Sequence, residues 1–307
     1  MHEINRVIKH LKAVLVTFLF AITVVMVFFP LFILAIFKLL IPFDAAQKQI
    51  HKALDWCASQ WMSFNNWQQS VLLPTKIDTH GLDDLSLEQW YLMVANHQSW
   101  VDILVVLRLF NGRIPYIKFF LKQSLLYIPF MGFCFWALDF PFMRRYSKAQ
   151  LEKHPELKGK DIERTRKSCE VFRHNPVTMI NFMEGTRFTQ AKHDQQQSVY
   201  RYLLTPKAGG VSFALSAMNG QLKQLLDVTI FYPAKIPTYW EYAGGGVKTI
   251  QVYLKQLPIT ENLIGDYAED EHFRQNFQIW VNQLWQEKDQ LLIRLHSQAA
   301  ASLSEKS

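Results

Sequence analysis

Two apolar runs of strand length, Tyr91-Leu-Met-Val-Ala95 and Thr178-Met-Ile-Asn-Phe182, each give way to a short polar string. The first string is Asn96-His97-Gln98-Ser99-Trp100-Val101-Asp102 and the second is Glu184-Gly185-Thr186-Arg187. Behind the first, Val101-Asp-Ile-Leu-Val-Val-Leu107 has the apolar density of a buried helix. Alternation of strand, polar turn and helix predicts an α/β domain with a mixed, largely parallel sheet flanked by helices. Ligand sites in such sheets form beyond the carboxyl ends of strands, so the turns after Ala95 and Phe182 are expected to converge on one.

An imidazole in a strand-to-helix turn can take a proton from a hydroxyl, and a carboxylate on its other nitrogen fixes the tautomer and steadies the imidazolium. Asp102 is the nearby carboxylate for His97. In one continuous helix, positions i and i+5 lie about 140° apart, so the pair meets only if His97 precedes the helix and Asp102 sits in its first turn. Ser99 as N-cap, with Asp102 at N3, gives that arrangement. The same Ser99-x-x-Asp102 spacing is also a capping-box pattern in which Asp102 only closes the helix end and offsets its dipole. In the second string, glycine allows a sharp turn, amide and hydroxyl donors face an anion, and arginine offers a planar fork for phosphate. A plain surface turn with a Glu/Arg ion pair fits that string equally well.

The two strings in this order, about eighty residues apart, resemble the glycerolipid acyltransferase superfamily. The resemblance is to the 1-acylglycerol-3-phosphate acyltransferases, including bacterial members similar to lysocardiolipin-type enzymes. The family's His-x4-Asp block is matched by His97 and Asp102, with Asn96 beside them, and its Glu-Gly-Thr-Arg block by Glu184, Gly185, Thr186 and Arg187. Phe142-Met-Arg-Arg145 matches the Phe-x-x-Arg block between them, and Val228-Thr-Ile-Phe-Tyr-Pro233 the strand ending in proline after them. Asp139 stands where relatives often place glycine, and Met183 where proline commonly precedes the glutamate. Both departures bear on the acceptor and acyl pockets. Arg144 beside Arg145 leaves two arginines for one inward position.

The resemblance implies direct acyl transfer. His97 takes the proton from the sn-2 hydroxyl of a lysophospholipid acceptor as its oxygen attacks the thioester of acyl-CoA or acyl carrier protein, and Asp102 orients the imidazole. Arg145 and Arg187 are the expected phosphate contacts, Glu184 a brace, Gly185 and Thr186 parts of the same turn, and Lys207 a further substrate contact. The chemistry needs neither metal nor cofactor. Lysophosphatidylglycerol or lysocardiolipin is an alternative acceptor, and a non-catalytic membrane scaffold an alternative of another class.

Composition agrees with work at a membrane: +7 formal charge and 50% hydrophobic residues over 307 positions. Ala13 to Phe37 carries no charged side chain and exceeds the roughly 18 residues needed to propose a span. No Ala-x-Ala-like cleavage site follows, so the segment reads as a retained anchor. Pro30 is expected to split it into two helical pieces, and basic residues on both sides (Arg6, Lys9, Lys12; Lys38, Lys48, Lys52) give no clean orientation. A bent hairpin in one leaflet would put both basic ends at the same surface, whereas a single crossing helix would put the catalytic domain opposite the amino terminus. The resemblance implies a two-helix membrane motif and an active site on the cytoplasmic face of a bacterial inner membrane, where both donors reside; the expected division is a membrane-anchoring helical motif over residues 1–60, an acyltransferase domain over 61–300 and a frayed tail over 301–307.

The remaining segments are plainer. Leu125–Leu138 is uncharged and too short for an ordinary span, and suits an acyl tunnel, a lipid contact or core. Lys160–Arg173 reads as a charged amphipathic helix with Ile162, Cys169 and Phe172 inward, Val247–Leu257 as an exposed or edge strand, and His193-Asp194 as part of a solvated loop. Phe273, Phe277, Trp280, Leu284, Leu291 and Leu295 fall near helical spacing. Cys57, Cys134 and Cys169 form no Cys-x-x-Cys pair, which argues against a disulfide framework or structural zinc. No nucleic-acid recognition motif accompanies the basic charge.

Overall fold

The computed structural model describes residues 2–143, 160–173 and 175–304. In chain order the helices are α1 (His2–Leu40), α2 (Asp44–Leu72), α3 (Val101–Phe110), α4 (Met131–Ala137), α5 (Lys160–Cys169), α6 (Gln190–Gln196), α7 (Ala208–Ala217), α8 (Tyr239–Ala243) and α9 (Glu271–Ser304). The strands are β1 (Lys76–His80), β2 (Tyr91–Ala95), β3 (Ile117–Phe119), β4 (Leu121–Lys122), β5 (Phe142–Met143), β6 (Thr178–Phe182), β7 (Gln224–Phe231) and β8 (Thr249–Pro258).

Six strands form the main sheet in the order β1-β8-β7-β2-β6-β3, and only β7–β8 pairs antiparallel. This is the expected mixed, largely parallel sheet. Strand β2 is central and buried along its whole length. Its alternate residues enter different cores: Leu92 and Val94 pack with α7 and α9, while Tyr91, Met93 and Ala95 pack with α3, α8 and the first half of α1. Burial on both faces is why β2 reads as an unbroken apolar run rather than an alternating one.

The register sets up the site. Ala95 lies opposite Phe182 of β6 on one side and Val228 of β7 on the other, all in parallel pairing. The residues that follow Ala95 and Phe182 therefore emerge level with each other at one end of the sheet.

Several expectations are corrected. Pro30 does not split the apolar segment: α1 runs unbroken through it for 39 residues. The missing N–H costs one helical hydrogen bond, but Leu31 and Ala35 just beyond it are buried against Leu54 and Ala58 of α2, which holds the two halves in line. Strand β8 is not at an edge, because β1 pairs along its outer side and Ile250, Val252 and Leu254 are buried. His193 and Asp194 lie in α6 rather than a loop, capped by Thr189, whose side chain accepts from the Lys192 amide. Helix α9 continues to Ser304, well into the tail expected to fray.

Helices α1 and α2 pack on each other, and charged contacts join them to the domain. Lys38 and His51 both reach Asp139, at 2.5 and 2.7 Å, and Asp55 pairs with buried Lys118 at 3.0 Å. Asp139 has φ +57°, the left-handed region that glycine adopts most readily. Burial opposes its ionisation, but the His51 bond and the charges of Lys38 and Lys118 hold its carboxyl below the ordinary range. In the 125–138 segment, Phe130 and Phe133 pack on Phe28 of α1, while Tyr127, Phe130 and Met131 remain largely exposed. Helix α1 is long and apolar enough to cross a membrane, and most of its apolar stretch faces outward.

Candidate active site

His97 lies two residues past the end of β2 and Asp102 in the first turn of α3. Their side chains meet, His97 Nδ1 to Asp102 Oδ2, at 2.9 Å. The same Oδ2 accepts the backbone N–H groups of Gln98 at 2.5 Å and Ser99 at 2.7 Å, and Oδ1 accepts the Tyr232 hydroxyl at 2.5 Å. Asp102 is fully buried, and these four donors replace the water it has lost. An ionised carboxylate only accepts, so Nδ1 carries the imidazole proton and Nε2 keeps its lone pair.

The capping geometry is shifted from expectation: α3 starts at Val101, Trp100 is the N-cap, and Asp102 is the second helical residue. Ser99 Oγ does not bond the Asp102 amide; it donates to the Pro237 carbonyl at 2.5 Å and accepts from Val101 N–H at 3.1 Å. The amide of Asp102 instead bonds Ser99 O at 3.2 Å. Histidine contact and helix-end closure are therefore not alternatives. One carboxylate does both, and closing the turn brings it beneath the imidazole.

The second string joins the first. Glu184 is fully buried, its Oε1 accepting the His97 backbone N–H at 2.8 Å and its Oε2 that of Leu204 at 3.0 Å. Burial pushes the Glu184 carboxyl from the ordinary 4.5 up to about 8, against the pull of these two bonds and of the Lys288 charge. Phe188 N–H returns to the His97 carbonyl at 2.7 Å. The imidazole itself stacks on Phe182 with ring centres 4.2 Å apart. His97 is thus held at its backbone, its ring face and Nδ1.

Gly185 takes φ +66°, and a Cβ there would come within 3.2 Å of the Lys207 side chain, so Lys207 lies directly over this turn. Thr186 Oγ1 accepts from Lys192 Nζ at 2.7 Å, and the same ammonium bonds the Arg187 carbonyl at 3.0 Å. The Arg187 guanidinium lies over the exposed Trp100 ring at 4.9 Å. Lys192, Arg187 and Lys207 thus place three cations around the glycine turn. Asn96 does not face this space. Fully buried, it clasps β7, donating to the Ile230 carbonyl at 2.9 Å and accepting Ile230 N–H at 2.8 Å. Arg144 and Arg145 lie outside the described residues.

Four participants went unread in the sequence. Tyr232, quoted only as the end of a strand, supplies a hydrogen bond to Asp102 from 130 positions away. Leu204 contributes only its amide, which no sequence signal announces. Lys192 follows a Thr N-cap at three residues, a placement that turns it back toward the strand end. Lys288 sits on α9 four residues from both Leu284 and Leu292, a lone charge within the apolar stripe. It is fully buried, bonding Val228 O at 2.7 Å, Thr229 Oγ1 at 3.0 Å and Asp227 Oδ1 at 2.5 Å. Among the described residues, no cluster of His, Cys, Asp and Glu could hold a metal ion.

Residues 76–234, more than half of the chain and including both turns, match a family model described as "Acyltransferase". The chain belongs to the acyltransferase family. It is 24% identical over 260 residues to "Probable 1-acyl-sn-glycerol-3-phosphate acyltransferase 5" of Arabidopsis thaliana, covering 80% of this chain and 64% of that one. To "1-acyl-sn-glycerol-3-phosphate acyltransferase epsilon" of Mus musculus it is 25% identical over 226 residues, covering 67% and 58%. The chain therefore spans less than two thirds of the length of these curated relatives. A crystal structure of the 1-acyl-sn-glycerophosphate acyltransferase PlsC from Thermotoga maritima aligns over 92% of this chain and 98% of that one, with a TM-score of 0.48 and 17% identity.

Proposed function

We propose that this chain transfers a fatty acyl group from an acyl thioester, acyl-CoA or acyl carrier protein, to the sn-2 hydroxyl of 1-acyl-glycerol-3-phosphate, producing phosphatidic acid. The observation that carries the reading is the hold on His97: Nδ1 is committed to Asp102 and the backbone to Glu184, which leaves Nε2 as the site's base. Nε2 takes the acceptor's hydroxyl proton as that oxygen bonds the thioester carbonyl carbon. The tetrahedral intermediate then collapses with cleavage of the C–S bond, and the imidazolium returns the proton to the departing thiolate. No enzyme nucleophile is required.

Amides of the His97 turn are already committed, His97 to Glu184 and both Gln98 and Ser99 to Asp102. The backbone N–H groups of Thr186 and Arg187 bond no acceptor among the described residues. These two are our candidates for holding the oxyanion. Arg187, Lys207 and Lys192 surround the position proposed for the acceptor phosphate, with Arg145 a further candidate. The outward apolar face of α1 supports membrane attachment, with the site on the cytoplasmic side where both donors are found.

The test is acyl transfer from labelled oleoyl-CoA or oleoyl acyl carrier protein to a panel of lysophospholipids, using membranes containing wild type or His97→Ala. Phosphatidic acid formed from lysophosphatidic acid, and lost in the variant, is the expected result. Product confined to lysophosphatidylglycerol or lysocardiolipin would reassign the acceptor, and the absence of any His97-dependent product would remove the catalytic reading.

A further inference from the structure

A groove of about 1250 Å³ lies between the first turns of α1 and the segments that flank α8; its lining includes no residue of the His97 or Gly185 turns, although its Pro237 carbonyl accepts the Ser99 hydroxyl at 2.5 Å. Its cations are Arg6 and Lys9 on α1 and Lys235 and Lys248 on the opposite wall; Glu241 is its one acidic lining residue. Glu241 is already engaged by Lys235 and by the Thr238 amide. Arg6, Lys9 and Lys248 make no ion pair with any described residue. Three uncompensated charges therefore face one cavity.

The groove is held in shape. A Cβ on Gly244 would sit 2.8 Å from the Lys9 carbonyl, so the α1 backbone rests directly on this glycine. Trp240 donates its indole N–H to His10 at 3.0 Å, fastening the same turn. Val7, Leu11 and Val247 supply apolar lining. From Val7 and Leu11 the apolar surface continues along α1 through exposed Ile4, Ile8, Leu15 and Phe18. The groove thus sits where a basic rim meets the end of a long outward apolar face.

We infer that this groove binds the phosphate headgroup of an anionic diacyl glycerophospholipid of the surrounding bilayer, with the acyl chains lying along α1. A phosphodiester satisfies the cations, and the glycerol and ester region suits the apolar wall. A free phosphate would satisfy the cations and leave the continuous apolar face without a role. A zwitterionic lipid adds a positive group to a cavity already rich in them.

The experiment is native mass spectrometry of the full chain in mild detergent, titrated with dioleoylphosphatidylglycerol or dioleoylphosphatidylcholine. One saturable phosphatidylglycerol adduct is expected, with phosphatidylcholine at least about tenfold weaker. Arg6→Ala/Lys9→Ala/Lys248→Ala should weaken it about ten- to a hundredfold, since each basic residue near a lipid surface contributes on the order of a fivefold factor. Lys248→Glu alone, on the wall opposite α1, should weaken it as well. A triple change of exposed lysines elsewhere, Lys52→Ala/Lys167→Ala/Lys223→Ala, should leave the adduct intact, as should Arg187→Ala at the proposed acceptor site. Retention in the first triple variant, an equal loss in the second, or loss in Arg187→Ala would overturn the assignment. Displacement of the lipid by millimolar inorganic phosphate would give the groove to a soluble ligand instead.

Discussion

Glu184 Oε1 accepts the backbone N–H of His97 at 2.8 Å, joining two polar strings that lie 87 positions apart. The contact follows from register: with Ala95 opposite Phe182, the second residue beyond each strand reaches the same level. Its other oxygen ties in Leu204, so one carboxylate sets the spacing of three segments. Above about pH 8, where the carboxyl is ionised and both oxygens accept, replacement by glutamine exchanges an acceptor for an NH2 donor that would face a backbone N–H, and an unsatisfied buried group costs about 1–3 kcal/mol. Glu184→Gln is expected to lower kcat by about tenfold or more while the chain remains folded, read by steady-state kinetics beside circular dichroism.

The same residue gives a pH dependence. Its carboxyl is raised in the folded chain, from 4.5 to about 8, so the folded state holds this proton more tightly than the unfolded state. Its contribution to stability is fully present below about 4.5 and is lost as pH rises through about 8. The melting temperature of wild type should therefore fall across this window by an increment that Glu184→Gln lacks. A melting series in which both proteins keep the same slope would contradict the assignment.

Tyr232→Phe removes the donor to Asp102 Oδ1 and nothing else of comparable size. The carboxylate then keeps His97 and two amides on Oδ2 but has one buried oxygen without its bond. A stability loss of about 1–3 kcal/mol and reduced kcat with little change in KM are expected, measured by thermal unfolding and by acyl transfer at saturating acceptor.

Asp102→Asn is more severe. An amide oxygen in place of Oδ2 still accepts, but the NH2 then faces the Tyr232 hydroxyl, which must turn to accept from it; the opposite flip sets NH2 against the Gln98 and Ser99 donors. Neither orientation leaves a negative charge to steady the imidazolium. General-base catalysis contributes about 10²–10⁴-fold, and a kcat loss within that range is expected at unchanged expression and membrane recovery.

Lys288→Met tests the core beneath the site. It leaves Asp227 buried without its cation, and breaking a buried pair costs about 3–5 kcal/mol. The double variant Lys288→Met/Asp227→Leu should recover most of the loss in a thermal unfolding assay, since two apolar groups leave no orphaned charge.

Local chemistry and its order along the chain were legible before any fold was known. Length and apolarity marked β2 and β6, the polar strings marked the turns, and helical spacing marked much of α9, because these are short-range properties of neighbouring residues. Packing between distant segments set the rest. It carried α1 straight through Pro30 by packing on α2, placed β8 inside the sheet by adding β1, and turned Asn96 from a site candidate into a clasp on Ile230. Tyr232, Leu204, Lys192 and Lys288 acquired their roles only there. A hydrogen bond acts over about 3 Å, and which residues come that close across 87 or 130 positions is set by strand register and helix packing, not by spacing along the chain.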